Sequence, residues 1–400
     1  MRGWTGAQAN AVAPRLALQV IHEAALCHCN LRCGRTLSQK GFEVANGLPF
    51  VGSDQAIHDL LEARTVAAAQ SLQVALGKLR RASGHFGGRL LVIDPHRIKS
   101  YSKRQMRRHR LPGETKPGKR AQTFFCLDAE TMQPIAFTLA SGARTAAQAT
   151  PEVLELVGPI LGVGSEGAPR PLVLADEEHY TGKIFDDVRA LSFDLLVPMK
   201  TSRHQLARWR GLPAQAFTRH WAGYAVAQQS YHFGTQDVVE LVQRSGERPV
   251  DYQFKGYLST RAEGAIPQLS LAYPQRWHVE EFFKFNQALG WQRAGTLNLH
   301  IRYGQMTLAL IAQAVLHQFR QRVGAPYQSW DATHLAQSVL GGLEGDVRVE
   351  DDTILVTYYN APNAQVLRQH YEGLPKKLEA DGIDPRVPWL YDFKLDFRFK

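Results

Sequence analysis

Two short apolar runs, each closed by an acid, stand out in the hydrophobic and polar pattern of the chain: Arg89-Leu-Leu-Val-Ile-Asp94 and Pro171-Leu-Val-Leu-Ala-Asp176. A continuous run of this length reads as a buried strand that delivers its acid at the C-terminal end. Pro95 is expected to stop the first strand at once. Before it, residues 1 to about 86 read as helical, with apolar residues at helical spacing over Val12 to Leu26 and Gln55 to Leu79. After it, Gln122 to Leu127 and Gln133 to Ala140 are β-rich runs joined across Asp128-Ala-Glu-Thr, the form of a hairpin. Thr150-Pro151 predicts a helix running to about Leu161, because proline suits a first helical turn. A helix from about Gly182 to Leu191 and a strand over Phe193 to Val197 follow the second acid. Strands in hairpin order followed by alternating helix and strand predict an α/β chain with a mixed sheet flanked by helices.

From Arg203 to Leu271 the texture changes. Tyr224 to Gln228, Ser230 to Phe233, Val238 to Gln243 and Tyr252 to Leu258 read as strands joined by polar turns, a β-rich insertion. Next comes Tyr273-Pro-Gln-Arg276-Trp-His-Val-Glu280-Glu-Phe-Phe-Lys284, a helix-like run continuing through Phe285, Leu289 and Trp291. Glu280, Phe283, Lys284 and Gln287 fall on one helical face, and Val279, Phe282, Phe283 and Leu289 form the stripe that would dock it. Glutamate and lysine four apart are by themselves an ordinary solvated pair. A long apolar helix over Gly304 to Arg322, a strand over Thr353 to Tyr358 and a helix over Asn363 to Tyr371, ended by Gly373 and Pro375, complete the pattern with an alternating tail from Trp389. The expected division is a helical N-terminal region over 1–86, a core over 87–202 and 272–325, the insertion over 203–271 and a C-terminal α/β region over 326–400.

The 400 residues carry a formal charge of +10, which implies a polyanionic partner if the excess is clustered. It is clustered: from Arg97 to Arg120 ten lysines and arginines face one acid, Glu114. Either this is a solvated basic loop or it binds phosphate backbone, and its start beside Asp94 favours the second reading. Arg97, Lys99, Lys103, Arg104, Arg107 and Arg108 are its candidate DNA contacts, and Tyr101 could stack among them. No run of about 18 apolar residues and no signal-peptide pattern is present, so a cytoplasmic protein without membrane partners is expected. His22, Cys27, His28, Cys29 and Cys33 match no zinc-finger or ribbon spacing, and reduced, buried thiols are the preferred reading. Thr36 to Leu61, with Ser53-Asp54 as a cap, reads as a helical hairpin ahead of a DNA-binding helix-turn-helix.

Asp94, Asp176 and Glu280 come from separated elements and could converge to hold two divalent ions about 4 Å apart, one activating a nucleophilic oxygen and one stabilising the leaving oxygen. Oxygen-only donors suit Mg²⁺ or Mn²⁺. The order Asp94, Asp176 with its helix, a β-rich insertion and then Glu280 resembles the RNase H-like core of DDE transposases from bacterial insertion sequences, over residues 87 to 325. Within that family the chain is similar to the subgroup marked Tyr-x2-Arg-x3-Glu-x6-Lys, through Tyr273, Arg276 and Glu280. Gln287 stands where the motif has its lysine, and Lys284, one turn earlier, matches a basic residue common in such helices.

The resemblance implies that metal ions on Asp94, Asp176 and Glu280 activate water to cut DNA at the element's ends and then activate the freed 3′-hydroxyl to attack target DNA. It also implies phosphate contacts from Tyr273, Arg276 and Lys284, DNA ends and target as partners, and a homodimer on DNA. Motif spacing prefers Glu280 to its neighbour Glu281. His96 and His179 lie close enough to the aspartates to touch the site, Glu177 and Glu178 crowd Asp176, and Trp221 or Trp277 could stack on a base, although a core role is expected for either tryptophan. A nuclease of the same fold, a non-catalytic DNA binder and a two-carboxylate glycosidase are the rivals. Three intact acids weigh against the binder, and the basic run against the sugar enzyme.

Overall fold

The structure, a computed structural model, describes residues 12–27, 53–100, 105, 108–110, 113–165, 167, 169–262, 264–291 and 298–400. Its contacts divide the chain into two compact units, Gln73–Phe283 and Met1–Leu72 with Lys284–Lys400.

The first unit is built on one mixed sheet. Its central strands are β1 (Leu90–Lys99), β3 (Gly118–Asp128), β4 (Gln133–Ser141), β5 (Leu172–Leu174) and β6 (Asp194–Pro198). β2 (Arg108–His109) is a short strand against the start of β3. In space the central order is β4-β3-β1-β5-β6, with β3 antiparallel to its neighbours and β5 and β6 parallel to β1. That is the RNase H-like arrangement. Alternation along β1 sorts its side chains: Leu91 and Ile93 enter the large core with Phe124, Cys126 and helix α4 (Ala146–Leu161), while Asp94 faces the other way, opposite Phe125 in register.

The β-rich stretch does not close a sheet of its own. β7 (Phe217–Trp221), β8 (Tyr224–Phe233), β9 (Gln236–Ser245) and β10 (Gln253–Ser259) continue the central sheet, because β10 pairs antiparallel with β6. The two strands expected at 224–228 and 230–233 are one, β8. Gly256 on β10 is required by packing: a Cβ there would lie 2.2 Å from a ring carbon of Trp209. That indole is fully buried, and its Nε1 donates to Glu240 at 2.9 Å. Gly256→Ala is therefore expected to destabilise the chain by about 1–3 kcal/mol, read by urea denaturation.

Several boundaries differ from the pattern in the sequence. β1 runs through Pro95 because beyond Val92 the strand has β3 as its only neighbour among the described residues, where a missing N–H is tolerated. Asp94 is thus inside a strand and not at its end, though beyond the part paired with β5. Helix α4 starts at Ala146 and not at Pro151, nucleated by Thr145, whose N–H donates to Gln148 Oε1 at 3.1 Å. The long helix expected over 55–79 is two, α2 (Asp54–Glu62) and α3 (Val66–Ala82), because Thr65 opens the second by accepting from Ala68 N at 3.1 Å.

In the other unit, α8 (Leu299–Val323) packs on α1 (Val12–Ala25) and α2. Asn298 caps α8 by accepting from His300 N at 2.9 Å. Strands β11 (Gly345–Glu350), β12 (Thr353–Tyr358) and β13 (Lys394–Phe399) form a second sheet whose apolar face, with Val356, Tyr358 and Phe399, meets Val323 and Leu367. Gly373 and Pro375 do not simply end a helix: Pro375 sits in the first turn of the next one, Leu374–Ala380. No helix among the described residues is long and apolar enough to cross a membrane. His28, Cys29, Cys33 and residues 36–52 lie outside the described residues, so the cysteine cluster and most of the helical hairpin do too. Cys27 is a free thiol, and desolvation pushes the pKa of the half-buried His22 down to about 4.

Candidate active site

Asp94 and Asp176 arrive side by side. The last register pair of the parallel β1 and β5 ladder is Val92 with Leu174, and each aspartate lies two residues further on. Asp176 leaves the sheet to cap the 3₁₀ turn Glu177–His179, its Oδ1 accepting from Glu178 N at 3.0 Å and lying 2.8 Å from His179 Nδ1.

Glu280 is in the first turn of helix α7 (His278–Asn286), which lies on the Asp94 face of the sheet. Aromatic packing fixes it there. Phe125 meets the rings of Phe282 and Phe283 at 5.6 and 5.5 Å, and Phe283 stacks on His96 at 4.2 Å. Burying Phe282 alone contributes about 2–3 kcal/mol. His278 Nδ1 lies 2.6 Å from Ala129 O and ties the start of the helix to the β3–β4 turn. The stripe expected on this helix is largely inward: Val279, Phe282 and Leu289 are buried. The helix stops at Asn286, so Gln287 belongs to a 3₁₀ turn and does not continue the Glu280 face. Lys284 is exposed on the helix.

Before the helix, Tyr273 and Arg276 sit on the 3₁₀ segment Tyr273–Trp277. Arg276 bridges the carboxylates, with Nη1 3.4 Å from Asp94 Oδ1 and Nη2 3.4 Å from Glu280 Oε1. Tyr273 donates its hydroxyl to Ala175 O at 3.4 Å, beside Asp176. The adjacent strands β1 and β5, the 3₁₀ segment and the helix thus bring Asp94, Asp176, Tyr273, Arg276 and Glu280 together.

Electrostatics mark the same place. Burial first, then the charges of Asp176 and Glu280, push the Asp94 carboxyl up to about 7, against the opposing pull of Arg276 and Arg97. Burial also works to raise Asp176, but the hydrogen bond and charge of His179, the Glu178 N–H and Arg276 outweigh it and hold Asp176 below the usual carboxylate range. Burial pushes the Tyr273 phenol up to about 12, so it remains a donor. Two neighbouring acids with pKa values driven apart are a common feature of reacting centres.

The basic stretch is only partly described. Arg97 pairs with Glu178, Lys99 lies 3.7 Å from Glu114, and the buried Arg120 also pairs with Glu114. Arg108 is exposed on β2. Lys103, Arg104, Arg107 and Tyr101 lie outside the described residues. The tryptophans depart from expectation: Trp221 and Trp277 are 51% and 58% exposed, so neither has a core role, and Trp221 stacks on Tyr224 at 4.2 Å. His278 was not legible as a contributor, because no spacing in the motif distinguishes it.

A family model described as Transposase DDE domain matches residues 85–314, more than half of the chain. The chain belongs to the DDE transposase family. Among solved structures it is similar to a piggyBac transposase synaptic complex with hairpin DNA, at 12% identity over 92% of this chain and 75% of that one, with a TM-score of 0.44. It is also similar to the Mos1 mariner paired end complex with Mn, at 16% identity over 39% of this chain and 54% of that one, with a TM-score of 0.20. No curated protein matches it.

A transposase of this family implies divalent metal. Among the described residues no group of three or more His, Cys, Asp or Glu side chains is arranged to hold one ion, and the Arg276 guanidinium lies between Asp94 and Glu280. The donor set nonetheless suits a hard cation. It is oxygen-only, with the carboxylates of Asp176 and Glu280 close enough to Asp94 to act on its charge.

Proposed function

We propose that the chain is a DNA transposase that cuts DNA at transposon ends and joins the freed 3′-hydroxyl to target DNA. The observation that carries this reading is the meeting of Asp94, Asp176 and Glu280 around Arg276 in a member of the DDE transposase family. Asp94, Asp176 and Glu280 would hold Mg²⁺ or Mn²⁺, two ions, which when bound supply a more acidic nucleophilic oxygen and a counter-charge for the leaving oxygen.

The chain's own residues then have distinct tasks. Arg276, released from its two carboxylates, can grip two oxygens of the scissile phosphate, which a single ammonium cannot do. Tyr273, held protonated, donates a hydrogen bond to the same backbone. Asp94 must give up its proton before it can serve as a ligand, so binding of metal releases protons below about pH 7. Lys284 adds a point charge on the exposed side of α7. Arg97, Lys99 and Arg108, with Lys103, Arg104 and Arg107, would carry the DNA backbone past the aspartates, and two chains would be needed to hold two ends.

The test compares wild type, Glu280→Ala and Glu281→Ala for Mg²⁺-dependent cleavage and joining on DNA carrying the element's own ends. Loss of both steps in Glu280→Ala, by on the order of 10³-fold, with Glu281→Ala close to wild type, is expected. A wild type that binds these ends and neither cuts nor joins contradicts the reading.

A further inference from the structure

His179 has no part in the carboxylate set, yet it is the most completely enclosed polar group beside it. Its ring is fully buried at the end of the 3₁₀ turn that Asp176 caps. One nitrogen, Nδ1, lies 2.8 Å from Asp176 Oδ1, and the other, Nε2, is buried without a hydrogen-bond partner among the described residues. The histidine's polar chemistry is therefore directed at one oxygen. An ionised carboxylate only accepts, so the Nδ1 proton is donated to it.

The backbone N–H of Glu178 reaches the same Oδ1 at 3.0 Å. Two donors on one oxygen do more than a cap requires, since the backbone N–H alone satisfies the 3₁₀ turn. They fix the rotation of the carboxyl about its last bond, and they leave Oδ2 without a protein donor among the described residues. A carboxylate held through one oxygen and open at the other is arranged to receive a ligand.

We propose that His179 is a positioning residue for the reaction: it clamps Oδ1 of Asp176 so that Oδ2 is presented to the divalent cation and the reacting phosphate. This rests on the transposase reading of the site and deepens it. The clamp also removes an entropic cost of ordering the carboxylate on binding. A Glu-Glu-His turn is thus used to orient an acid that the two-residue overhang from β5 would otherwise leave loose.

Isosteres separate this role from packing. Asparagine can place an amide N–H close to where Nδ1–H stands, whereas glutamine places its amide where Nε2 stands and cannot bond Asp176 at the same position. His179→Asn and His179→Gln are compared with wild type in the full chain, with thermal melts to confirm that each is folded. Mn²⁺ binding is measured by calorimetry without DNA, and single-turnover cleavage is measured against DNA concentration. His179→Gln is expected to weaken Mn²⁺ binding about 10–100-fold and to lower the cleavage rate at saturating DNA with little change in the DNA concentration needed. His179→Asn is expected to recover most of both. Folded glutamine variant with wild-type Mn²⁺ affinity, or an asparagine variant as impaired as glutamine, overturns the positioning role. A wild-type chain that binds no Mn²⁺ and cuts nothing overturns the reading of the site, and the positioning role falls with it.

Discussion

Asp94→Asn is expected to abolish DNA cleavage and, in the same protein, to raise the melting temperature of the metal-free chain at pH 8. The first effect follows from the proposed metal role of Asp94: loss of a ligand oxygen from a centre whose metal-derived stabilisation would be worth several kcal/mol is a loss on the order of 10³-fold or more. The second follows from the sign of the pKa shift. Asp94 is raised from 3.8 to about 7 in the folded chain by burial and by its acidic neighbours. Its contribution to stability is therefore fully present below the unfolded value and is lost as pH rises through about 7. Above that the folded state carries a buried negative charge that the unfolded state carries in water, a penalty of up to about 4 kcal/mol. Asparagine keeps the shape and has no charge, so melts in EDTA should show a gain at pH 8 that shrinks steadily as pH falls toward 4. A variant that is less stable than wild type at pH 8 would mean that Asp94 is a structural hydrogen-bonding residue.

Arg276→Ala is expected to act in the same direction on activity and in the opposite direction on stability. Without the guanidinium, Asp94 and Glu280 lose the cation 3.4 Å from each of them. Removing such a charged hydrogen bond costs about 1–3 kcal/mol. The Asp94 carboxyl should rise further, so the destabilisation is largest above pH 7. Cleavage should fall by about 10²-fold because the scissile phosphate also loses its bidentate partner. Arg276→Lys should recover little of either, since one ammonium cannot stand 3.4 Å from both carboxylates with the same fork. Melting curves at pH 6 and pH 8, beside single-turnover cleavage, check both halves. Full recovery with lysine would show that only net charge matters at this position.

The sheet and its acids were legible because their signals are local. The apolar runs at 89–94 and 171–176 specify buried strands wherever they fold, and the hairpin at 122–140 is announced by its own turn. The stripe of Val279 and Phe282 likewise marks the buried side of α7. What the pattern hides depends on partners distant in the chain. Pro95 looks like a stop until β5 is seen to end short of it. Trp221 and Trp277 look like core residues because large aromatics usually are, and only the edge position of β7 and the 3₁₀ turn expose them. The Arg276 bridge joins positions 182 residues apart, and the His96 stack on Phe283 depends on the way α7 lies across the sheet. Neither has a spacing that sequence alone could show. The Glu280 to Lys284 pairing expected on one face is replaced by Arg276 to Glu280, because the arginine sits one turn earlier and points back over the sheet.

The most direct test is a crystal structure of the full chain soaked with Mn²⁺, with anomalous scattering used to locate the metal. The expected result is a peak among the carboxylates of Asp94, Asp176 and Glu280, with the Arg276 guanidinium moved off Asp94. A chain that cuts DNA with Mn²⁺ while its anomalous peaks lie away from these three residues would contradict the assignment of the site.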